Sequence, residues 1–335
     1  MNEAPSSQFS AESYFATQPA PPTLEHDVAG VRAFVARQRE LGRKVVLVTS
    51  GGTTVPLELN VVRYLDNFSA GTRGATSAEY FLQAGYAVVF MHRQFSLQPF
   101  SRHYSHSTNP FLDLLDVDPQ SSDSQSPPNI SVMPSKRAEL LEVLQAYKSA
   151  RALEQIHTLT FVTVNDYLWL LRAVSQELSV IGRQSLYYLA AAVSDFFLPR
   201  QKMSEHKIQS GKGSLIIEMD QVPKILKPMV DEWSREGFIV SFKLETDPAL
   251  LIPKARGALE RYGHQIVVGN DLHRRKYEVV FVSREHAGQD ISEHWLRIGP
   301  GAINALGHPK EIEEDIIAEL VKRHDAWIAA EPSAN

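Results

Sequence analysis

Hydrophobic residues along this chain follow two spacings in turn, which predicts an alternation of helices and strands. Between Thr23 and Gly42, apolar residues recur three or four positions apart, as they do on one face of a helix. A continuous apolar run follows at 44–49, and such a run is typical of a strand buried on both faces. We therefore expect a helix over 23–41 and a buried strand directly after it.

The alternation continues to the end of the chain. Further strands are expected at 86–91, 161–164, 187–193, 215–219, 238–242 and 265–268. Further helices are expected at 75–82, 167–178, 225–233, 248–262 and 308–329. Apolar strands that alternate with helices imply a mostly parallel sheet with helices on both faces. The sequence thus predicts a three-layer, Rossmann-like α/β fold, in which the loops that follow the strands meet at one edge.

Three segments depart from this pattern. Residues 1–22 are rich in Ser, Ala, Pro and Gln, and residues 116–135 are rich in Ser and Pro, so both are expected to be flexible. Residues 198–213 form a long polar loop after a strand, where lids over active sites are often found. We expect a flexible tail over 1–22 and a single α/β domain over 23–330. This domain would contain a flexible insertion at about 116–135 and a lid loop at about 198–213.

The composition narrows the range of functions. The 335 residues include 34 Lys and Arg and 39 Asp and Glu, giving a net charge of −5, whereas nucleic-acid binding usually needs a basic face. No apolar run reaches the roughly 18 residues that span a membrane. The chain has no cysteine, which excludes disulfides, thiolate metal sites and a catalytic thiol and suits a reducing compartment. We expect a cytoplasmic protein without nucleic-acid or membrane partners.

Four loops at the carboxyl ends of the predicted strands carry candidate chemistry, because ligands of open parallel sheets bind at that edge. The first, 50–54, has two glycines and hydroxyl donors that suit a phosphate. The second, 63–74, opens a helix whose first amides form a natural anion site, and Arg63 and Arg73 add positive charge there. Both loops are also compatible with an ordinary turn or helix start, so residue types alone leave the choice open.

The other two loops follow later strands. Residues 190–196 contain three alanines that leave space for a ligand, and Asp195 suits a substrate hydroxyl or amide. The alternative role for Asp195 is that of a helix or turn cap. Residues 268–271 contain a Gly-Asn pair, which is also common in turns. Lysines of the lid loop are either solvated or stabilise a developing negative charge when the loop closes.

Several enzyme classes lack their motifs in this chain. There is no Gly-x-x-x-x-Gly-Lys-[Ser/Thr] P-loop, no Gly-x-Gly-x-x-Gly after the first strand and no Gly-x-Ser-x-Gly elbow. His103 and His106 stand in a polar loop without an evident partner for metal binding. The second strand ends at His92 and Arg93, which tolerates the extra phosphate of NADP. The sequence is therefore also compatible with two other functions, that of an NADP-dependent reductase and that of a catalytically inactive nucleotide-binding subunit.

Five segments, taken in order along the chain, form a pattern more specific than any single loop. They read VLVTSGGT at 46–53, RYLDNFSAGTRGATSAE at 63–79, AAAVSDF at 190–196, HKIQS at 206–210 and SFKLETD at 241–247. Over about residues 43–285, this pattern resembles the eukaryotic phosphopantothenate–cysteine ligases.

The resemblance implies a ligation in two steps. The carboxylate of 4′-phosphopantothenate attacks the α-phosphate of ATP, giving an acyl-adenylate and pyrophosphate. The amine of L-cysteine then displaces AMP and forms 4′-phosphopantothenoylcysteine, in coenzyme A biosynthesis. The resemblance also implies Mg²⁺ bridging the triphosphate. The lack of protein cysteine fits this chemistry, because the thiol arrives with the substrate and the protein mainly positions anions.

The resemblance also assigns roles to residues of this chain. The positions that match nucleotide-binding residues of the family are Gly51, Ser69, Gly71, Gly74, Phe242 and Asn270. The positions that match phosphopantothenate-binding residues are Asn67, Ala191, Ala192 and Asp195. Asn67 also matches a residue that steadies the acyl intermediate, and Lys207 one that assists formation of the acyl-nucleotide. Arg63 matches an arginine that reaches the substrate phosphate from the neighbouring subunit, which implies a homodimer.

Overall fold

The computed structural model describes residues 9–104, 110–117, 128–284, 290–305 and 307–330. Its α-helices are α1 Ala11–Thr17, α2 Leu24–Glu40, α3 Thr72–Gln83, α4 Arg137–Ala152, α5 Val164–Leu178, α6 Leu226–Pro228, α7 Pro248–Tyr262 and α8 Ile312–Ala329. Its strands are β1 Val45–Ser50, β2 Thr54–Pro56, β3 Tyr64–Asp66, β4 Ala87–Arg93, β5 Leu115–Val117, β6 Ile130–Val132, β7 Ile156–Phe161, β8 Ser185–Leu189, β9 Phe196–Phe197, β10 Asp220–Gln221, β11 Phe238–Glu245, β12 Ile266–Asp271, β13 Glu278–Arg284 and β14 Ile291–Arg297.

The apolar run after Gly42 forms β1, which lies inside an eight-stranded sheet of the described residues. The strand order is β14-β13-β12-β11-β8-β1-β4-β7. The strands from β12 to β7 are parallel, and β13 and β14 continue the sheet as an antiparallel hairpin. Every residue of β1 is buried, as expected for a strand covered on both faces. The predicted mostly parallel sheet is confirmed.

Successive residues of β1 point to opposite faces of the sheet and so contribute to two different hydrophobic cores. Val45 and Leu47 belong to a core that includes side chains of α1, α2 and α5. Val46 and Val48 belong to a second core that includes side chains of α3 and α8. Helices therefore cover both faces, which is the three-layer α/β arrangement that the sequence predicts.

Two predicted strands have different ends in the structure, and a third does not form. The strand expected at 161–164 lies earlier, as β7, because Thr163 caps α5. Its hydroxyl accepts a hydrogen bond from Asp166 N at 3.1 Å, and Thr163 N donates to the Asp166 carboxylate at 2.9 Å. The strand expected at 187–193 ends at Leu189, as β8. No strand forms at 215–219; the short pair β9 and β10 instead joins the two ends of the segment that includes the lid loop.

The tail predicted over 1–22 is structured where it is described. Residues 9–22 include α1, whose Tyr14 and Phe15 are buried. The Tyr14 ring packs edge-on against Phe197 with 4.9 Å between centroids, and the Phe15 ring packs against Trp169 at the same distance. The low-complexity composition conceals this anchor, because two adjacent aromatic residues suffice to bind a short helix to the core.

Some elements have no counterpart among the predicted ones. Helix α4 has one buried residue, Ala150, so its apolar periodicity is too weak to identify it. Strand β14 is half-exposed and correspondingly mixed in sequence. Within the predicted insertion, β5 pairs with β6 as a hairpin, and 118–127 lies outside the described residues. In the part of the chain that the structure describes, no helix is long and apolar enough to cross a membrane.

Candidate active site

The loops after β1 and β8 lie side by side at the carboxyl edge of the sheet. Ala192 N donates a hydrogen bond to Gly51 O at 2.8 Å, and Thr53 N donates to Ala192 O at 3.0 Å. Ala191 N donates to the Thr49 hydroxyl at 3.2 Å. The chain after β8 therefore leaves the main sheet to pair with the glycine loop, which is why β8 is shorter than predicted.

Asn67 is brought to this edge by close backbone packing on Gly52. A Cβ atom on Gly52 would lie 1.6 Å from Asn67 O, so only glycine allows the approach. Asn67 N donates to Thr53 O at 3.1 Å. Gly52 also forms a bridge with Ala192. The structure thus places three predicted phosphopantothenate residues, Asn67, Ala191 and Ala192, around one loop.

Helix α3 begins directly beside the end of β1. The Ser50 hydroxyl donates to Gly71 O at 3.0 Å, and Gly71 N donates to the Ser69 hydroxyl at 3.3 Å. Gly71 has φ +81°, a conformation that favours glycine, and a Cβ on Gly74 would lie 2.4 Å from the Ser50 side chain. Together with Gly51, these residues form a tight corner that the amides of the first helical turn make electropositive. We call it the glycine corner.

Phe242 and Asn270, the other two predicted nucleotide residues, lie on the neighbouring strands β11 and β12. The ring of Phe242 packs edge-on against Tyr188 with 4.9 Å between centroids. The Arg73 guanidinium lies 5.9 Å from the Phe242 centroid and is paired with Glu313 at 3.0 Å. Because Arg73 stands in the first turn of α3, it connects the Phe242 ring to the glycine corner. Asn270 is buried.

Two buried titratable side chains beneath the corner are neutral. Burial lowers the pKa of His92, whose Nδ1 lies 2.8 Å from Arg93 O. Burial also raises the pKa of Tyr188, whose hydroxyl lies 2.8 Å from the Ser77 hydroxyl. Neither side chain adds charge and Arg73 is paired with Glu313, so the positive potential at the corner comes mainly from the helix amides.

Neither Asp195 nor Lys207 is hydrogen-bonded to the glycine corner in the described part of the chain, but Ser194, next to Asp195, donates from its N to the Thr53 hydroxyl at 2.9 Å. Both side chains are exposed, Asp195 just after β8 and Lys207 within the lid loop. Asp195 O accepts from Val222 N at 2.9 Å, which fixes its backbone beside β10. No hydrogen bond of the described residues joins Lys207 to Asn67 or Asp195. The structure therefore joins Asn67 and the alanines through the glycine loop, whereas no hydrogen bond of the described residues connects Lys207 to them.

A buried carboxylate that is not among the predicted site residues, Glu58, holds Arg63. Glu58 has no exposed surface, and its Oε1 accepts from Arg63 Nε at 3.0 Å and from Nη2 at 2.7 Å. Arg63 N also donates to Glu58 Oε2 at 3.2 Å. Arg63 Nη1 has no hydrogen-bond partner among the described residues and stays available for an anion. The available signal was a single acidic residue between Leu57 and Leu59 in an otherwise apolar run.

The same carboxylate contacts the lid loop. Ile208 N donates to Glu58 Oε1 at 3.3 Å, and Arg63 Nη2 donates to Ile208 O at 2.7 Å. Burial by itself raises the pKa of Glu58, but the hydrogen bonds from Ile208, from the side chain and backbone of Arg63 and from Val62 together lower it. Glu58 is therefore an ionised buried group that several donors stabilise.

Arg93 makes an NADP-dependent reductase compatible with the sequence, but it has a different role in the structure. Its Nη1 donates to the Asp66 carboxylate at 2.5 Å. Its Cβ also lies where a Cβ on Gly51 would come within 2.8 Å. Arg93 thus joins the glycine loop to the residue before Asn67, and its guanidinium is engaged with a carboxylate. Because Arg93 is engaged in this way, it does not support a reductase.

The residues that the structure describes contain no cluster of potential metal ligands. No group of three or more His, Asp and Glu side chains is arranged there to hold an ion. His103 Nε2 lies 3.0 Å from a Glu79 carboxylate oxygen, and Glu79 also pairs with Arg102 at 2.7 Å. His103 therefore belongs to a structural ion-pair cluster, and His106 lies outside the described residues.

Comparison with known families identifies the class of protein to which this fold and this site belong. Residues 41–109 and 144–292 match the family model of the DNA/pantothenate metabolism flavoprotein C-terminal domain. A flavoprotein of that description from Streptococcus pneumoniae shares the fold, with a TM-score of 0.53 at 18% sequence identity, covering 85% of this chain and 99% of that one.

Closer relatives narrow the class. Phosphopantothenate–cysteine ligase CAB2 from Saccharomyces cerevisiae is 43% identical, over 95% of this chain and 87% of that protein. The Homo sapiens phosphopantothenate–cysteine ligase is 45% identical, over 92% of this chain and 96% of that protein. A solved structure of a Cab2 mutant in complex with phosphopantothenate-cysteine superposes with a TM-score of 0.83, covering 95% of this chain and 98% of that one. The chain belongs to the phosphopantothenate–cysteine ligase family.

Proposed function

We propose that this protein ligates 4′-phosphopantothenate to L-cysteine at the expense of ATP, through an acyl-adenylate. The main support for the proposal is the packing of Asn67 on Gly52. This packing holds the loop that contains Asn67 between the glycine corner and the alanines after β8. A carboxylate held there and a triphosphate at the corner would be neighbours. Holding two reactants in that way replaces a bimolecular encounter with a positioned reaction.

The nucleotide subsite is formed by the glycine corner and the ends of β11 and β12. Its proposed residues are Gly51, Ser69, Gly71, Gly74, Phe242 and Asn270. The helix amides and Arg73 neutralise phosphate charge, and Phe242 offers a flat apolar face to the base. ATP would enter as its Mg²⁺ complex, and the ion would offset part of the phosphate charge at this corner.

The substrate subsite lies beside it. Asn67, Ala191, Ala192 and Asp195 are proposed to hold phosphopantothenate, with the small alanines allowing the substrate to approach the backbone. The substrate carboxylate attacks the α-phosphorus and pyrophosphate leaves. The cysteine amine then attacks the acyl carbon, loses a proton and expels AMP. The Asn67 amide stabilises the acyl intermediate by hydrogen bonding, and Lys207 stabilises charge on the phosphate when the lid closes.

A homodimer is part of the proposal, because Arg63 is assigned to the substrate phosphate of a neighbouring subunit. The β2–β3 hairpin that carries Arg63 has an exposed apolar surface, which suits a second copy of the chain. Its members are Val61, Val62, Tyr64, Leu65 and Phe68. We further propose that residues 23–330 act as one domain and that the enzyme is cytoplasmic, in keeping with its lack of cysteine.

A reconstituted reaction tests the function. The protein is mixed with ATP, Mg²⁺, 4′-phosphopantothenate and L-cysteine, and pyrophosphate, AMP and the amide product are measured. We expect pyrophosphate release to require phosphopantothenate and AMP release to accompany amide formation. Pyrophosphate release that is independent of phosphopantothenate would contradict the ligase, and NADPH consumption would instead support a reductase.

Hybrid dimers test the shared site. One subunit carries Arg63→Ala and the other an inactivating substitution of Asn67, so that one of the two sites in the heterodimer keeps both residues. We expect mixing equal amounts of the two inactive homodimers to restore up to about a quarter of the activity of the unaltered dimer, because about half of the re-formed dimers are heterodimers and each has one intact site of two. Absence of recovery in purified heterodimers would show that each site takes Arg63 from its own chain.

A further inference from the structure

Glu58 lies outside every predicted set of site residues, yet it is the most heavily hydrogen-bonded carboxylate near the site. It is fully buried, and its two oxygens receive the Arg63 side chain, Arg63 N, Val62 N and Ile208 N. A buried carboxylate is costly unless it is paired and hydrogen-bonded, and Glu58 is both. The arrangement therefore fixes two segments, 62–63 and the lid loop at 208, relative to one charged group.

Both segments carry or adjoin residues assigned to the reaction. Arg63 itself is the proposed phosphate ligand, and Ile208 is adjacent to Lys207 in the lid loop. Arg63 completes the connection by donating from Nη2 to Ile208 O at 2.7 Å. With Nε and Nη2 occupied, Nη1 is the guanidinium nitrogen left for the substrate phosphate among the described contacts. Glu58 therefore directs the guanidinium. It also holds the lid at Ile208, next to the backbone hydrogen bonds from Leu59 N to Ser204 O and from Asn60 N to Glu205 O.

We propose that Glu58 is a positioning residue that couples occupation of Arg63 by the substrate phosphate to the placement of Lys207 by the lid. The inference rests on the proposed function. An Arg63 that is held by Glu58 offers a preorganised charge to the phosphate. The same contact keeps the 207–208 backbone beside Arg63, so that substrate binding and lid position depend on one another. In the proposed dimer, this connects the lid of one subunit to the substrate phosphate of the other.

The main test is Glu58→Gln. Glutamine keeps the size and one acceptor oxygen, but its amide group faces the donors of Arg63 and Ile208. We expect a roughly tenfold rise in KM for phosphopantothenate and a roughly tenfold fall in kcat, with KM for ATP nearly unchanged. Trypsin cleavage after Lys207, followed by mass spectrometry, should accelerate at least severalfold. The matched control is Glu218→Gln, an exposed carboxylate beside the lid loop, which should change neither readout.

Two further variants keep the proposal testable if Glu58→Gln does not fold. Arg63→Lys keeps a positive charge for the phosphate but lacks the fork that reaches both Glu58 and Ile208, so lid cleavage should accelerate. In a double-mutant cycle with Arg63→Gln, the effect of Glu58→Gln on KM for phosphopantothenate should largely disappear, because it acts through Arg63.

Distinct outcomes separate this inference from the proposed function. Unchanged KM and unchanged lid cleavage in Glu58→Gln would overturn it, as would fully additive effects of the two substitutions on KM. Failure of the unaltered protein to form the amide would contradict the ligase function itself. The cleavage readout needs no turnover, so it reports on the Glu58 link in either case.

Discussion

At the residue scale, the site depends on how closely backbone segments approach one another. Gly52 and Gly74 both stand where a single extra carbon would overlap a neighbouring residue, Asn67 in one case and Ser50 in the other. The glycines and the family resemblance indicate these loops in the sequence. The contacts that make glycine necessary at 52 and 74 join residues far apart in the chain, so no local pattern reveals them.

Gly52→Ala tests this close packing. The added methyl would lie 1.6 Å from Asn67 O, so the loop that carries Asn67 must shift. Overpacking of this kind costs about 1–3 kcal/mol in stability. Since misplacement by about 1 Å can reduce catalysis about 100-fold, we expect kcat to fall much more than the free energy of unfolding. The control is Gly257→Ala, which meets no atom within 4 Å. A fully active Gly52→Ala enzyme would contradict the role of this contact.

Lys207→Gln tests charge stabilisation at the phosphate. If the lid brings this ammonium group to the reacting phosphate, its loss should slow pyrophosphate formation by on the order of 10²–10³-fold. Rapid-quench measurement of acyl-adenylate and pyrophosphate isolates that step from amide formation. Lys202→Gln is the control, since Lys202 is paired with Asp220 at 2.8 Å. A normal burst of acyl-adenylate in the Lys207 variant would refute its assignment.

The sequence also had limits at this scale. It identified Arg63 and Arg93 as charged positions but could not show what neutralises them. Arg63 is held by Glu58 and Arg93 by Asp66, and each pair depends on how the β2–β3 hairpin folds over the sheet edge. A pairing partner in three dimensions therefore changed the interpretation of Arg93, from a phosphate ligand of NADP to a contact that positions the Asn67 loop.

At the element scale, periodicity predicted buried elements better than partly exposed ones. Helix α7 has the bounds expected from its pattern, Pro248–Tyr262, with Asp247 as cap and Gly263 after it. Helix α4 and the tail helix α1 were missed, because few of their residues are buried and their apolar spacing is weak. Elements whose burial comes from one or two contacts leave little trace in a sequence.

Phe15→Ala tests the contribution of α1. The Phe15 ring contacts Trp169 at 4.9 Å and Trp233 at 6.0 Å between centroids, and it is buried. Truncation of a buried phenylalanine costs about 3–5 kcal/mol, so we expect a clear fall in the urea midpoint. Glu12→Ala on the same helix is the control, because its side chain is exposed. If Phe15→Ala and Glu12→Ala had the same urea midpoint, α1 would contribute no more to stability than a flexible tail does.

At the scale of the whole molecule, two histidines are buried far apart, one beside β11 and one on α8. Burial lowers the pKa of His264 to about 4, and its Nε2 lies 2.7 Å from the Ser241 hydroxyl. Burial likewise lowers the pKa of His324 to about 4, and its ring nitrogens lie 2.7 Å from the Tyr86 hydroxyl and 2.8 Å from Arg183 O. Both are neutral in the folded protein at pH 7.

These histidines predict an acid-sensitive stability. Because their folded pKa lies below the unfolded value of about 6.5, the unfolded chain binds more protons between pH 6.5 and 4, and the free energy of unfolding falls as pH falls through that window. Each histidine should contribute a loss of about 2–3 kcal/mol by pH 4.5. Carboxylates begin to take up protons at the acid end of this range, and the pKa values of Glu58 and His92 are also lowered, so the contribution of His264 is taken from the difference in pH slope between the unaltered protein and a His264 variant. His264→Gln should reduce the pH slope by about one proton. Identical slopes for His264→Gln and the unaltered protein would show that His264 takes up its proton without unfolding.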